Sequence, residues 1–226
     1  MIELGGYTPL STVDWPGRLA AVAFVQGCPW RCAYCHNAVL QQRGPGAGPS
    51  WTQVLRVLER RAGLLDGVVF SGGEPTLAPR LDAAVAQVRS LGLGAALHTA
   101  GIYPQRLQAL LPSLAWVGFD LKTGFADYDA LTLRRSSGLR ARRALELVLA
   151  SGVAHEIRTT YHPAWVSDQA LVETARSLKA LGAGAWVLQR WWPRAIDDAA
   201  LVSGWRWPDA SLLQALRIAG PPLTLR

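Results

Sequence analysis

The chain of 226 residues is poor in cysteine, in lysine and in long apolar runs. Its three cysteines, Cys28, Cys32 and Cys35, lie close together, and an odd number in one short segment does not suggest a disulfide framework. No apolar run approaches the ~20 residues that a membrane-spanning helix needs. The N-terminal residues lack the basic and then apolar pattern of a signal peptide. We therefore expect a cytoplasmic protein.

Basic residues outnumber acidic ones, 23 against 16, and only Lys122 and Lys179 among them are lysines. The densest basic segment, residues 134–143, contains no aromatic side chain, whereas nucleic-acid-binding surfaces usually combine both. Arginines near the start of the helix predicted there oppose the helix dipole, so helix stability does not explain them. We therefore disfavour nucleic-acid binding, and an acidic protein is the better-matched partner for this segment.

Half of the residues are apolar, and short apolar segments alternate with amphipathic ones. Short apolar runs bounded by turn residues are typical of buried parallel strands, and the amphipathic segments between them predict crossover helices. The first eighteen residues carry Gly, Pro and Trp-Pro-Gly turn signals and are predicted to be mostly loop. The predicted strands are 19–25, 67–71, 94–99, 114–120, 155–160 and 185–190, and the predicted helices are about 51–64, 78–91, 103–110, 138–151, 167–181 and 209–218.

This order predicts a single α/β domain over residues 1–226, with a core at about 19–190 and a C-terminal helix and short strand in 201–226. Polar residues gather where the predicted strands end. Both a barrel and a doubly wound open sheet bind ligands at the carboxyl ends of their parallel strands, so the gathering predicts a site under either architecture. The residues at these strand ends are those of the cysteine loop, the segment Gly72-Gly73-Glu74, His98, Thr99, Asp120, Lys122, Arg158 and Gln189.

The cysteine spacing, C-x3-C-x2-C, supplies three thiolates without a fourth cysteine anywhere in the chain. Three thiolates suit a [4Fe-4S] cluster with one iron left open for an outside ligand. A structural zinc site would need His36 as its fourth ligand, and the adjacent Cys35 and His36 would have difficulty reaching two corners of one tetrahedron. The spacing therefore favours an iron–sulfur cluster with an open position.

The same spacing, with Tyr34 before the third cysteine, resembles the signature of the radical S-adenosylmethionine (SAM) superfamily. Further segments resemble the glycyl-radical-enzyme activating proteins, and the size together with residues 156–160 and 187–189 resembles the activating proteins of anaerobic ribonucleoside-triphosphate reductase. The similarity runs from about residue 5 to 190. The further segments are Asp14-Trp15-Pro16-Gly17, Phe24, Gln26-Gly27-Cys28, Cys35-His36-Asn37, residues 70–76 (Phe-Ser-Gly-Gly-Glu-Pro-Thr) and Asp120-Leu121-Lys122.

The resemblance implies a partial (β/α)6 TIM-like barrel of parallel strands that holds a [4Fe-4S] cluster and SAM. SAM would chelate the open iron through its amino and carboxylate groups, and one electron would split it into methionine and a 5′-deoxyadenosyl radical. That radical would remove a hydrogen atom from a glycine Cα of a partner, anaerobic ribonucleoside-triphosphate reductase. A flavodoxin- or ferredoxin-type protein would donate the electron.

The resemblance assigns the three cysteines to the cluster and their neighbours to SAM. Tyr34 would meet the adenine, or else be only a packed ring. His36 would shield the cluster or contact SAM, or else lie on the surface. Gly72 and Gly73 would let the backbone approach the ligand, because they carry no side chain, and with Glu74 they resemble the site for the SAM amino group.

Charged residues are assigned to the other end of the ligand and to the partner. Asp120 and Lys122 end the fourth predicted strand, and a compact ammonium such as that of Lys122 suits the SAM carboxylate. Arg158 would bind the carboxylate or the ribose, unless it pairs with Glu156 on the same strand face. Asp14 would contact the glycine loop of the partner, or else cap a turn.

One segment departs from the family pattern. Many relatives carry Asp-Thr-Asn-Gly where this chain has His98-Thr99-Ala100-Gly101. If the aspartate binds a monovalent cation, His98 is a poor substitute, because imidazole is a weak ligand for hard cations. Thr99 and Asp120 are then the residues left to support such a site.

Two other functions compete with the activating enzyme. The first is a small-molecule radical SAM enzyme such as a 7-carboxy-7-deazaguanine synthase, whose cysteine loop usually departs from this spacing. The second is a non-enzymatic, metal-stabilised module that binds an acidic partner. Iron and sulfide analysis separates the second from an enzyme with a cluster.

Overall fold

The computed structural model describes residues 1–32, 34–192 and 199–226. Within them, eight strands form one sheet in chain order, in which β1 and β2 are antiparallel and all later neighbours are parallel. The strands are β1 Leu4–Ser11, β2 Ala20–Val25, β3 Gly67–Gly72, β4 Gly94–Thr99, β5 Trp116–Asp120, β6 His155–Tyr161, β7 Trp186–Arg190 and β8 Leu223–Leu225. The helices are α1 Trp51–Glu59, α2 Leu81–Ser90, α3 Pro104–Leu110, α4 Tyr128–Thr132, α5 Ser137–Ala150, α6 Asp168–Ala180, α7 Ala199–Gly204 and α8 Ala210–Ala219.

The predicted α/β fold is confirmed, and the six predicted strands correspond to β2 to β7. The sheet is not closed, since its order runs from β1 to β8 without a pairing between these two ends in the described residues. The prediction of a mostly irregular N-terminus missed a strand, because residues 4–11 form β1, which pairs with β2. Its pairing register shifts between Leu4 and Gly6 and again between Thr8 and Ser11, so β1 shows no regular alternation in the sequence.

Two tryptophans, Trp15 and Trp116, pack against one face of the sheet at the amino ends of its strands. Trp15 is 8% exposed and stacks on Trp116 at 6.4 Å between ring centroids. A Cβ added to Gly67 or Gly94, the first residues of β3 and β4, would lie 2.7 or 2.8 Å from the Trp15 ring. Glycine at these positions therefore makes room for the tryptophan, and the polar residues occupy the opposite, carboxyl ends.

The larger core lies between the sheet and its helices and includes Trp51, Phe70, Leu107 and Leu145. Helix α1 begins at a capping box in which the Ser50 side chain accepts from the Gln53 backbone and the Gln53 side chain accepts from the Ser50 backbone. None of the helices in the described part of the chain is long and apolar enough to cross a membrane.

Helices α4 and α7 were not predicted. In α4 the buried Tyr128 packs edge to face on Trp30 of the cysteine loop, with 5.8 Å between ring centroids. Its hydroxyl oxygen accepts a hydrogen bond of 2.7 Å from the Lys122 backbone N–H. This short helix therefore joins the cysteine loop to the end of β5.

Candidate active site

An open cavity of about 640 Å³ lies at the carboxyl ends of the parallel strands. Every residue that the sequence assigned to a cofactor, a metal or the partner lies on its wall. These residues are Asp14, Cys28, Cys32, Tyr34, Cys35, His36, Gly72, Gly73, Glu74, Thr99, Asp120, Lys122, Arg158 and Gln189. The structure therefore brings the predicted set together, while the role of each member stays a prediction.

The cysteine loop leaves β2 and is held by backbone hydrogen bonds. The Cys28 N–H donates to the Gln41 carbonyl at 3.2 Å, and the Cys35 N–H donates to the Cys32 carbonyl at 3.2 Å. The Glu74 N–H donates to the Gly27 carbonyl at 2.9 Å, which joins this loop to the residues after β3. All three cysteines are free thiols and partly exposed. The loop therefore presents soft ligands at one end of the cavity.

The two glycines before Glu74 serve this junction. Gly72 has φ of +107°, a conformation that favours glycine, and a Cβ there would lie 2.5 Å from the Val25 backbone. A Cβ on Gly73 would lie 2.3 Å from the Gly27 carbonyl oxygen. The need for glycine here therefore comes from close approach to β2 and the cysteine loop, and access to SAM by the same backbone stays a prediction.

Burial favours the protonated form of two of the thiols, Cys28 and Cys32, in the absence of metal. Burial and, to a smaller extent, the charge of Glu74 together raise the pKa of Cys28 to about 12. Burial also raises the pKa of Cys32, although the Lys122 ammonium opposes the shift. Metal binding must therefore displace protons from these thiols. No three Cys, His, Asp or Glu side chains in the described residues meet the geometry of a metal site, so the cluster ligands stay a prediction.

The Glu74 carboxylate is buried and accepts hydrogen bonds from neighbouring residues of the protein. It is 1% exposed, and it accepts hydrogen bonds from the Thr76 N–H and hydroxyl, from the Thr99 hydroxyl at 2.7 Å and from the Ala100 N–H at 3.0 Å. Burial raises its pKa, and these hydrogen bonds oppose the rise. Glu74 and Thr99 therefore tie the end of β3 to the end of β4, which sequence reasoning did not foresee. A contact of either residue with SAM stays a prediction.

Asp120 lies between two cations at the ends of β5 and β6. Its Oδ1 accepts from Arg158 Nε at 3.0 Å and Nη2 at 2.8 Å, and Lys122 Nζ lies 3.5 Å from its Oδ2. Burial raises the pKa of Asp120, but the charges of Arg158 and Lys122 outweigh this and hold it well below its usual range. For Lys122, burial lowers the pKa, but the Asp120 carboxylate outweighs this and raises it above its usual range. All three groups are therefore charged at neutral pH.

The predicted alternative for Arg158, an ion pair with Glu156, is wrong. Glu156 instead accepts two hydrogen bonds from Arg226, at 3.0 and 2.7 Å. The guanidinium of Arg158 lies over the Trp116 ring and fills the space above Gly118, where a Cβ would lie 2.9 Å from its Cζ. Gly118 was not recognised from the sequence, because its role depends on the Arg158 side chain, which comes from two positions further along the neighbouring strand β6.

His98 is buried beside this charge cluster. Its Nε2 lies 2.7 Å from the Asp14 carbonyl oxygen and its Nδ1 lies 3.2 Å from Ser71 Oγ. Burial and the Arg158 charge lower its pKa to about 4, so it is neutral at pH 7. In the neutral ring, the 2.7 Å contact is a hydrogen bond when Nε2–H donates to the Asp14 carbonyl, and Nδ1 then accepts from the Ser71 hydroxyl. The guanidinium of Arg158 lies against the ring, and this arrangement does not support the predicted cation site.

Asp14 also has a partner within its own turn. The Ser11 hydroxyl donates to its Oδ2 at 2.5 Å, and the Ser11 Oγ accepts from the Asp14 N–H at 3.3 Å. The side chain that caps this turn is that of Ser11, which accepts the Val13 and Asp14 N–H groups, so the predicted alternative, a turn-capping role for Asp14, is wrong. Because Asp14 also lies on the cavity wall, its contact with the partner's glycine loop stays a prediction.

Aromatic rings cover the side of the cysteine loop that faces α6 and β7. Tyr34 is 5% exposed and packs against Trp165 at 5.5 Å, and His36 stacks on Trp191 at 6.1 Å. The Tyr34 hydroxyl is buried without a hydrogen-bond partner among the described residues. Tyr34 is thus a packed ring at the cavity wall, and its contact with adenine stays a prediction. The only sequence signal for Trp165 and Trp191 was the large number of tryptophans, 10 in all.

Comparison with known proteins identifies a family and relatives. The family model of the Radical SAM superfamily matches residues 22–178, from β2 to α6. A putative glycyl-radical enzyme activating enzyme of Methanocaldococcus jannaschii is 26% identical over 185 residues, which are 78% of this chain and 75% of the relative. The pyruvate formate-lyase-activating enzyme of Clostridium pasteurianum is 32% identical over 118 residues, which are 50% of this chain and 49% of that enzyme.

A solved structure shares the fold. The crystal structure of Streptococcus suis SuiB bound to S-adenosylmethionine has a TM-score of 0.64 and 16% identity. The match covers 89% of this chain and 48% of SuiB. The chain thus spans about half of this protein and of the Clostridium relative, and three quarters of the Methanocaldococcus relative.

Proposed function

Because this chain belongs to the Radical SAM superfamily, we propose that it binds a [4Fe-4S] cluster and SAM and generates a glycyl radical on a partner enzyme. The observation that carries this proposal is that three free cysteines, Lys122 and the Arg158–Asp120 pair line one and the same cavity. The names of the Methanocaldococcus and Clostridium relatives support the glycyl-radical partner. The choice of anaerobic ribonucleoside-triphosphate reductase rests on the sequence resemblance of residues 156–160 and 187–189.

The donor set fits the cluster and its ligand in chemical kind. Cys28, Cys32 and Cys35 would hold the cluster, since thiolates are the ligands that iron–sulfur clusters prefer. When bound, the cluster supplies the electron for the reductive cleavage of SAM. The protein's part is to hold and orient these groups and to exclude competing reactions.

Lys122 is the residue that we assign to the SAM carboxylate. Its ammonium is charged, lies on the cavity wall and makes a long contact of 3.5 Å with Asp120, so it retains donors for a ligand. Arg158 uses its Nε and Nη2 on Asp120, and its Nη1 lies 3.2 Å from His98 Nε2. We therefore assign Arg158 to fixing Asp120, which in turn holds Lys122 in place.

The test is anaerobic reconstitution with iron and sulfide, followed by reduction with dithionite in the presence of SAM. We expect about four irons and four sulfides per chain and the formation of 5′-deoxyadenosine. Changing Cys28, Cys32 or Cys35 to Ser should abolish both. One tightly bound zinc without labile sulfide, or a loaded cluster that does not cleave SAM, would refute the proposal. Cleavage of SAM without a radical on any reductase would favour the small-molecule enzyme.

A further inference from the structure

The turn between α4 and α5, residues 133–136, lies against the backbone of the cysteine loop. Arg134 Nε donates to the Pro29 carbonyl at 2.7 Å, and the Arg31 N–H donates to the Thr132 carbonyl at 3.0 Å. The Arg31 guanidinium also donates to the Cys28 carbonyl at 2.6 Å. Arg134 therefore connects the turn to the cysteine loop at Pro29, and Arg31, within that loop, is bonded to the carbonyl of its first cysteine.

The turn adopts a backbone conformation that its residues disfavour. Leu133 and Ser136 have φ of 54° and 59°, and they are the two non-glycine residues with positive φ in the described chain. The left-handed region costs such residues roughly 1–2 kcal/mol each. Asp129 supports Ser136 by accepting its N–H at 2.7 Å, but Leu133 is 65% exposed and gains little burial in return. Leu133 is the C-cap of α4, a position where helices commonly end in this conformation, although usually with glycine.

The charges around this turn are unbalanced. Arg142 and Arg143 pair with Glu146, whereas Arg31, Arg134, Arg135 and Arg140 form no ion pair with any described residue. Arg140 lies in the first turn of α5, where a cation opposes the helix dipole. Leu139, which lies between Arg135 and Arg140 in the sequence, is 72% exposed. The result is a positively charged surface with exposed leucines, built against local stability.

We propose that this surface docks an acidic electron-carrier protein, which passes one electron to the metal centre of the cysteine loop. The surface, here called the arginine face, consists of Arg31, Leu133, Arg134, Arg135, Leu139 and Arg140. The proposal rests on the proposed function, since only a chain with a reducible cluster needs such a donor: the carrier is oxidised by one electron and the cluster is reduced by one. The arginines match an acidic partner in charge, and exposed leucines suit the less polar centre of an interface.

Binding of a purified flavodoxin to the metal-free chain tests the surface without any catalytic activity. Titration calorimetry should show binding that weakens as ionic strength rises, because charged rims are screened by salt. The variant Arg135→Glu/Arg140→Glu should weaken binding at least about tenfold and flatten the salt dependence. The milder Arg135→Gln/Arg140→Gln should weaken it less. The matched control, Arg56→Glu/Arg89→Glu on α1 and α2, changes the charge equally and should bind like the wild type.

Reduction of the reconstituted protein gives the second readout. With dithionite, Arg135→Glu/Arg140→Glu should cleave SAM at the wild-type rate, and with reduced flavodoxin it should be at least about tenfold slower. Absence of flavodoxin binding to the wild type, or equal binding by this variant and the control, would overturn the proposal. The proposal would also be overturned if Arg135→Glu/Arg140→Glu kept flavodoxin binding but lost radical transfer to the reductase under dithionite. Failure of the wild type to cleave SAM with dithionite would instead refute the proposed function.

Discussion

Replacing Lys122 by methionine separates ligand binding from structural support. Asp120 keeps both of its Arg158 hydrogen bonds, at 2.8 and 3.0 Å, when the 3.5 Å contact of Lys122 is removed. Methionine has a similar length, so the loss of stability should be about 1 kcal/mol or less, as for a weak, partly exposed ion pair. A lost hydrogen bond from an ammonium to the SAM carboxylate should cost about 1.5–3 kcal/mol, which is roughly 10- to 150-fold in Kd.

The assay is calorimetric titration of anaerobically reconstituted protein with SAM, beside urea unfolding of each variant. Lys179→Met is the matched control, because it removes the other lysine, whose Nζ donates to the Ile218 carbonyl between α6 and α8. We expect Lys122→Met to bind SAM at least about tenfold more weakly and Lys179→Met to bind it normally. Wild-type affinity in Lys122→Met, or a loss explained by unfolding, would refute the assignment.

Two further predictions concern the charge cluster at the ends of β4, β5 and β6. Because the folded-state pKa of His98 is lowered to about 4, below its unfolded value of about 6.5, the unfolded chain takes up this proton first as pH falls, and stability is lost between these pH values. The Tm of His98→Gln should therefore fall less than that of the wild type from pH 7 to pH 5, and parallel curves would contradict this. Asp120→Asn leaves Arg158 buried without its carboxylate and should lower the free energy of unfolding by about 3 kcal/mol. Glu156→Gln, which removes the more exposed pair with Arg226, should cost about 1 kcal/mol or less, and equal losses in urea unfolding would contradict the difference.

Much of the fold was predictable because its strands are short, apolar and bounded by glycine or proline. Strand β1 was missed because Gly5, Gly6 and Pro9 are turn signals, and the strand's pairing depends on β2 accepting an irregular register. Helix α4 was missed because its five residues are too short for periodicity to show. These elements are specified by tertiary contacts, which a local pattern does not contain.

The set of site residues was also predictable, since strand ends of a parallel sheet converge. Which of these residues form ion pairs and hydrogen bonds with one another was not predictable. Arg158 lies opposite Asp120 in the register of β5 and β6, and Glu156 is thereby left to Arg226, near the far end of the chain. The Glu74 carboxylate is likewise held by a residue of another strand, since Thr99, the last residue of β4, donates a hydrogen bond to it. Register across strands decides such partners, and it is not encoded in any one segment.

The most direct test of the account mixes the reconstituted, reduced protein with SAM and an anaerobic ribonucleoside-triphosphate reductase that carries α-deuterated glycine. The account predicts a glycyl-radical EPR signal on the reductase, together with 5′-deoxyadenosine that has gained one deuterium. SAM cleavage that yields only unlabelled 5′-deoxyadenosine and no glycyl-radical signal would contradict it.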